Sequence, residues 1–273
     1  MKKEILIIAF LAVFAGLSLI TRSVALAQSE NEFTVPLSDP SKRGKLKAHI
    51  NYGSITVKGT ARKDVLVRYT SQSDDDERQA TKNGLKRIGG GGLDLEVVES
   101  ENNVKISSDS WSSKLKLEVE VPIGMDLDVK TYNDGDLIIN NIQGALELTN
   151  YNGEITALAV SGSVIATTYN GGIKITFDKV TDGTPMSYST YNGDIDISVP
   201  SGLKATLKMK TEQGDIYSDF DVDFKSSGPV QKKDVKGGVY KVVIDEWKRG
   251  DVNGGGPEIT MKNYNGDIFL RKK

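Results

Sequence analysis

Four acidic residues occupy the same place in a recurring turn: Asp136, Glu154, Asp194 and Asp215 each follow a glycine and precede a leucine or isoleucine. Paired carboxylates a few ångströms apart are what glycosidic-bond cleavage requires, one acting as acid or base and the other attacking or stabilising charge. Neighbouring strands of a sheet lie about 4.8 Å apart, so a row of such residues could supply a pair. Against that chemistry, Gly172 holds the place in one copy, and no arginine or lysine recurs beside the row to bind an acidic sugar. His49 is the only histidine, and a Ser-His-Asp triad would have to use it. No G-x-S-x-G elbow accompanies it, and alternation with Leu46, Ala48 and Ile50 turns it outward as a surface residue. Asp219, Asp221 and Asp223 alternate with Phe220, Val222 and Phe224, placing three carboxylates on one strand face. Calcium takes oxygen ligands of this kind, but neither an EF-hand loop nor the calcium-roll repeat is present. They are weak calcium candidates on a solvated edge, and no cofactor is expected.

The acidic place belongs to a longer string that positions it. Thr131-Tyr132-Asn133-Asp134-Gly135-Asp136-Leu137 is followed by copies centred on Tyr151-Asn152-Gly153, Tyr169-Asn170-Gly171, Tyr191-Asn192-Gly193 and Tyr264-Asn265-Gly266. A copy without tyrosine runs from Thr211 to Ile216, and a shortened one from Ile50 to Ile55. The central tyrosines are spaced by 19, 18 and 22 residues, a period that signals a solenoid. Apolar residues alternate before each string, as at Leu146 and Leu148, and again after it, as at Ile173, Ile175 and Phe177. Period-two alternation reads as half-buried strands, and Asn-Gly supplies the positive φ a sharp corner needs. An Asn-Gly pair also marks antiparallel hairpins. The second small-residue corner at Gly144 and Gly162 and the constant restart of the inward set favour stacked coils instead. The expected fold is all-β, a β-solenoid or β-helix-like stack of coils of about 18–22 residues with capping strands. Stacking would align Tyr132, Tyr151, Tyr169 and Tyr191 in one column and Asn133, Asn152, Asn170 and Asn192 in another.

Lys2 and Lys3, an apolar run from Ile5 to Ile20 and Ala25-Leu26-Ala27 form the pattern of a secretory signal peptide. Residues 1–27 are therefore expected to be removed, leaving no transmembrane segment. N-terminal strands and opening coils follow over 28–122, with an exposed excursion at 73–92 that carries an acidic cluster, a weakly helical stretch and four glycines. The central array covers 123–220, and 221–273 holds an interruption and a closing coil. Arg271-Lys272-Lys273 directly after the last strand would blunt an open edge. A net charge of −2 lacks the basic footprint of a nucleic-acid binder. With no cysteine in the chain, disulfides, thiolate metal sites, cysteine nucleophiles and a lipoprotein anchor are all excluded.

On these turns the chain resembles bacterial adhesin-like families of unknown function, exported β-solenoid-like domains with recurrent Asn-Gly-x-Ile corners. The resemblance runs from about Phe33 to Ile268. It implies an exported protein in the periplasm, on the cell surface or outside the cell, and brings no catalytic residues with it. The leading expectation is a non-enzymatic cell-envelope protein, a binding or structural scaffold whose partner is an unidentified envelope protein or glycan. The alternatives are a polysaccharide hydrolase or lyase using the carboxylate row and an envelope sensing or signalling partner.

Overall fold

The alternation of apolar residues becomes a two-walled stack. In the strand Lys45–Thr60, Leu46, Ala48 and Ile50 point inward and Lys45, Lys47 and His49 point out. After the corner at Tyr52 and Gly53 the inward set restarts with Ile55 and Val57. The computed structural model describes residues 31–73, 94–181, 183–224 and 247–273, with the backbone of Thr81–Lys82, Leu85–Lys86, Val230–Lys236 and Val239–Asp245. The signal segment expected over 1–27 and most of the excursion lie outside the described residues. Inside the excursion, Thr81–Lys82 pairs antiparallel with Leu85–Lys86, where a weak helix was expected. The Asn83-Gly84 pair between them is the composition that favours a two-residue hairpin connection.

Each coil has a strand before its tyrosine corner and a strand after it, and each strand pairs in parallel with its counterpart in the next coil. On the post-corner wall the pairing puts Leu117, Ile55, Leu137, Ile155, Ile173, Ile195, Ile268 and Ile216 in one inward row. On the pre-corner wall the facing row is Ala48, Val129, Leu148, Ala166, Tyr188, Met261 and Met209. A fully buried isoleucine stabilises by up to about 3 kcal/mol, so the row is a main source of cohesion. No single coil could bury its own share.

Order in the stack departs from order in the chain at both ends. Residues 45–60, the first coil in sequence, lie between the coil of Asn103–Ser108 and Ser113–Pro122 and the coil of Asp126–Asn133 and Leu137–Asn140. The last coil does the same: Glu258–Lys262 lies between Met186–Ser189 and Ala205–Lys210. Its second strand, Ile268–Lys272, lies between Ile195–Val199 and Ile216–Ser218. The chain therefore ends inside the sheet, which corrects the expectation that its basic tail blunts an open edge. Arg271 Nε instead donates to Asp196 Oδ1 at 2.8 Å, Lys273 pairs with Asp178, and the Lys272 ammonium lies over the Phe220 ring.

Antiparallel strands close the stack. Glu96–Ser100 covers Asn103–Ser108, and Asp64–Ser73, backed by Asn31–Pro36, covers Ser113–Pro122. At the far end Lys248–Val252 runs antiparallel to Ala205–Lys210 and is joined by Asp223–Phe224. Reversed strands satisfy the outermost backbone groups that would otherwise pair with another chain.

Candidate functional site

The corners align into columns, each with its own physical task. The innermost is glycine. A Cβ on Gly171 would lie 2.1 Å from the carbonyl oxygen of Gly153, and one on Gly153 would lie 2.2 Å from that of Gly135. The same contact continues through Gly193, Gly266 and Gly214, so consecutive coils approach too closely for any side chain. The residue before each tyrosine fills the adjoining column with a hydrogen-bond donor to that glycine. Thr131 Oγ1 donates to Gly53 O at 2.7 Å, Asn150 Nδ2 to Gly135 O at 3.0 Å and Thr168 Oγ1 to Gly153 O at 3.0 Å. Thr190, Asn263 and Thr211 repeat the contact with Gly171, Gly193 and Gly266.

The asparagines form an amide ladder on the outside. Asn170 Nδ2 donates to Asn152 Oδ1, and Asn192 Nδ2 to Asn170 Oδ1, both at 2.8 Å. Asn152 reaches Asn133 at 3.3 Å, and Asn265 reaches Asn192 at 3.4 Å. The acidic row is likewise bound into the stack. Asp136 Oδ1 accepts the Glu154 N–H, Asp194 Oδ1 the Asp267 N–H and Asp267 Oδ1 the Asp215 N–H, each at 2.8 Å. Because the last coil is inserted, Asp267 stands between Asp194 and Asp215, and sequence order hid it from the row. Only tracing the strand order finds it, although Gly266-Asp267-Ile268 carries the same local signature.

The tyrosines stack as parallel plates. Ring centroids are 5.1 Å apart for Tyr151 and Tyr169, 4.8 Å for Tyr169 and Tyr191, and 4.5 Å for Tyr191 and Tyr264, with interplanar angles of 3–6°. Tyr132 is not in this series: its ring lies 6.2 Å from Trp111, tilted by 50°. The extra residue Asp134, held at φ 50° and paired with Lys114, lengthens that corner and diverts the ring. Face-to-face stacking covers both ring faces of Tyr169 and Tyr191, the surfaces on which a sugar would lie, while all four residues stay 39–49% exposed.

The remaining candidates are dispersed. His49 faces outward as alternation requires, yet it is part-buried, with Nε2 2.9 Å from Asp128 Oδ1. Burial pushes its imidazole below the ordinary value despite the opposing pull of Asp128. Asp128 is also approached by Lys130 Nζ at 3.6 Å, and hydrogen bonding and charge hold its carboxyl below the usual range against burial. Asp219 Oδ2 accepts the Lys272 N–H at 3.2 Å, and Asp223 lies on the short strand beside Asp251. Among the described residues no three acidic, histidine or cysteine side chains are grouped to hold a metal.

Sequence reasoning missed a groove at the opposite corner. A cavity of about 660 Å³ is lined by Val180, Met186, Pro200, Leu203, Pro257 and Ile259, with Lys179 and Lys204 also on its wall. A second, of about 530 Å³, adjoins it through Lys179, Thr181 and Thr184. The signal was the 22-residue interval from Tyr169 to Tyr191, whose additional residues form this wall.

These features define a parallel β-solenoid-like protein with asparagine and tyrosine ladders along one corner. The chain belongs to the Toastrack DUF4097 family, whose model matches residues 85–253. No curated protein matches the chain. Among solved structures it is similar to a candidate cell adhesion protein from Clostridium sporogenes ATCC 15579, at 10% identity and TM-score 0.49, covering 89% of this chain and 100% of that one. It is also similar to a candidate adhesin from Bacteroides fragilis NCTC 9343, at 11% identity and TM-score 0.38, covering 90% and 98% respectively. No helix among the described residues is long and apolar enough to cross a membrane.

Proposed function

We propose that the chain is a non-enzymatic, exported protein of the cell envelope, an adhesin-like scaffold that presents the faces and edges of its stack to an envelope protein or a glycan. One observation carries this reading: the polar residues of the repeat are spent on holding coil to coil. Of the carboxylates that would perform sugar chemistry, Asp136, Asp194 and Asp267 accept backbone N–H groups from the next coil. They line an exposed corner, whereas the two grooves lie at the other corner.

The rival, a polysaccharide-acting enzyme, draws on Asp194, Asp267 and Asp215 standing on successive rungs. That spacing of about 4.8 Å approaches the roughly 5 Å of a retaining carboxylate pair. Replacing Asp194 and Asp215 by Asn separates the two, since an asparagine oxygen at position 194 still accepts the Asp267 N–H and the bond from residue 215 to Asp267 is made by its backbone N–H. The scaffold reading expects partner or glycan capture by the variant to equal that of the parent, with no hydrolase or lyase activity in either protein. Polysaccharide cleavage by the parent that disappears in a folded variant would overturn it.

A further inference from the structure

The tyrosine column carries chemistry that the scaffold does not use. Tyr191 and Tyr264 are the closest stacked pair, at 4.5 Å and 3°, and each ring is 39% exposed. They join the inserted C-terminal coil to a coil distant in sequence. With no cysteine in the chain, the exposed tyrosine phenols are, with Trp111, readily oxidised side chains of this surface. Partial desolvation and the neighbouring Tyr264 and Tyr169 hydroxyls push the Tyr191 phenol above its ordinary value.

We propose that Tyr191 and Tyr264 are a site of oxidative cross-linking, at which peroxidase-activated hydrogen peroxide couples the two rings into dityrosine and fastens the last coil in its slot. Each phenol gives up one electron and its hydroxyl proton to the oxidant. The two phenoxyl radicals then pair their electrons in a single carbon–carbon bond between positions ortho to the oxygens. Each ring moves the hydrogen on its bonded carbon to its oxygen, which restores the phenol. Hydrogen peroxide takes up the two electrons and two protons and leaves as two waters. Parallel rings with centroids 4.5 Å apart set the ortho carbons of one near those of the other, and the bond forms as the ring edges turn toward each other. In a chain that cannot form disulfides, the bond closes a long loop and restricts the unfolded state as a disulfide would.

The test treats the full chain with peroxidase and hydrogen peroxide at low protein concentration, then maps linked peptides by mass spectrometry and follows dityrosine fluorescence. The expected product is monomeric, lacks two hydrogen atoms, joins the peptides holding Tyr191 and Tyr264, and melts several degrees higher. Tyr264→Phe keeps the stacked ring but removes the phenol, so that linked peptide should vanish, while Tyr217→Phe should leave it unchanged. Links that map only to other tyrosines, links only between chains, or an unchanged dityrosine yield in a folded Tyr264→Phe variant would each overturn the proposal. The map of the parent protein decides the matter even if the variant fails to fold.

Discussion

A glycine in the corner column answers two demands at once, positive φ and contact with the backbone of the coil below. Gly171 sits at φ 155° with its missing Cβ directed at the Gly153 carbonyl. Gly171→Ala should therefore cost at least about 2 kcal/mol, a fall in Tm of roughly 4–8 °C. Gly124, which has nothing within 4 Å of its would-be Cβ, should tolerate alanine within about 0.5 kcal/mol. Equal effects on thermal unfolding would show that the column is not close-packed. His49 provides a second check at this scale, because its proton signal is unique in the chain. Its imidazole should titrate below the ordinary value of about 6.5. The sign follows from linkage: the unfolded chain takes up the proton first, so this contribution to stability is intact above that value and is lost as pH falls from it through the lower folded-state value. An NMR midpoint at or above the ordinary value would mean that Asp128, not burial, governs the ring.

A strand and its corner form the next unit, and here local pattern and environment agree. Asn and Gly turn the chain, the apolar row fills the interior, and the Thr or Asn before each tyrosine is buried with a carbonyl to satisfy. That last role explains why the position alternates between two chemically distinct residues. Both can donate a hydrogen bond from a short side chain, and an unpaired buried carbonyl would cost about 1–3 kcal/mol. The Tyr132 corner shows how narrow the specification is, since one added residue moves its ring from the column to Trp111. The capping strands obey a different logic. Asp64–Ser73 and Glu96–Ser100 are short apolar-containing strands like those of the coils, yet they run antiparallel and close the ends.

Across the whole molecule, the first and last coils are inserted between coils distant in sequence, so both lie in the interior of the stack. A solenoid whose last coil lay at its end would lose one nearest-neighbour interface on truncation. Here, deleting residues 258–273 removes the partner of four strands, Met186–Ser189, Ile195–Val199, Ala205–Lys210 and Ile216–Ser218. The truncated chain should lose cooperative unfolding or melt more than about 10 °C lower by circular dichroism. A melt close to that of the full chain would mean that the two flanking coils can close directly on each other.

The sequence by itself determined the all-β stack, the period of its coils, the corner residues and the inward rows. These follow from local steric and hydrophobic rules that every copy repeats. The Asn-Gly corner and the alternation of Ile195, Ile197 and Val199 can be read within a few residues. Tertiary structure alone decided which coil lies beside which. Coils with interchangeable rows, such as those of Ile195 and Ile268, can stack on several neighbours, and the choice depends on long connections such as residues 219–257. That choice set Asp267 between Asp194 and Asp215, brought Tyr264 onto Tyr191 and opened the groove beside Met186 and Leu203. The acidic row first suggested catalysis. Packing gave Asp136, Asp194 and Asp267 a structural use, because an oxygen of each accepts a backbone N–H from the next coil.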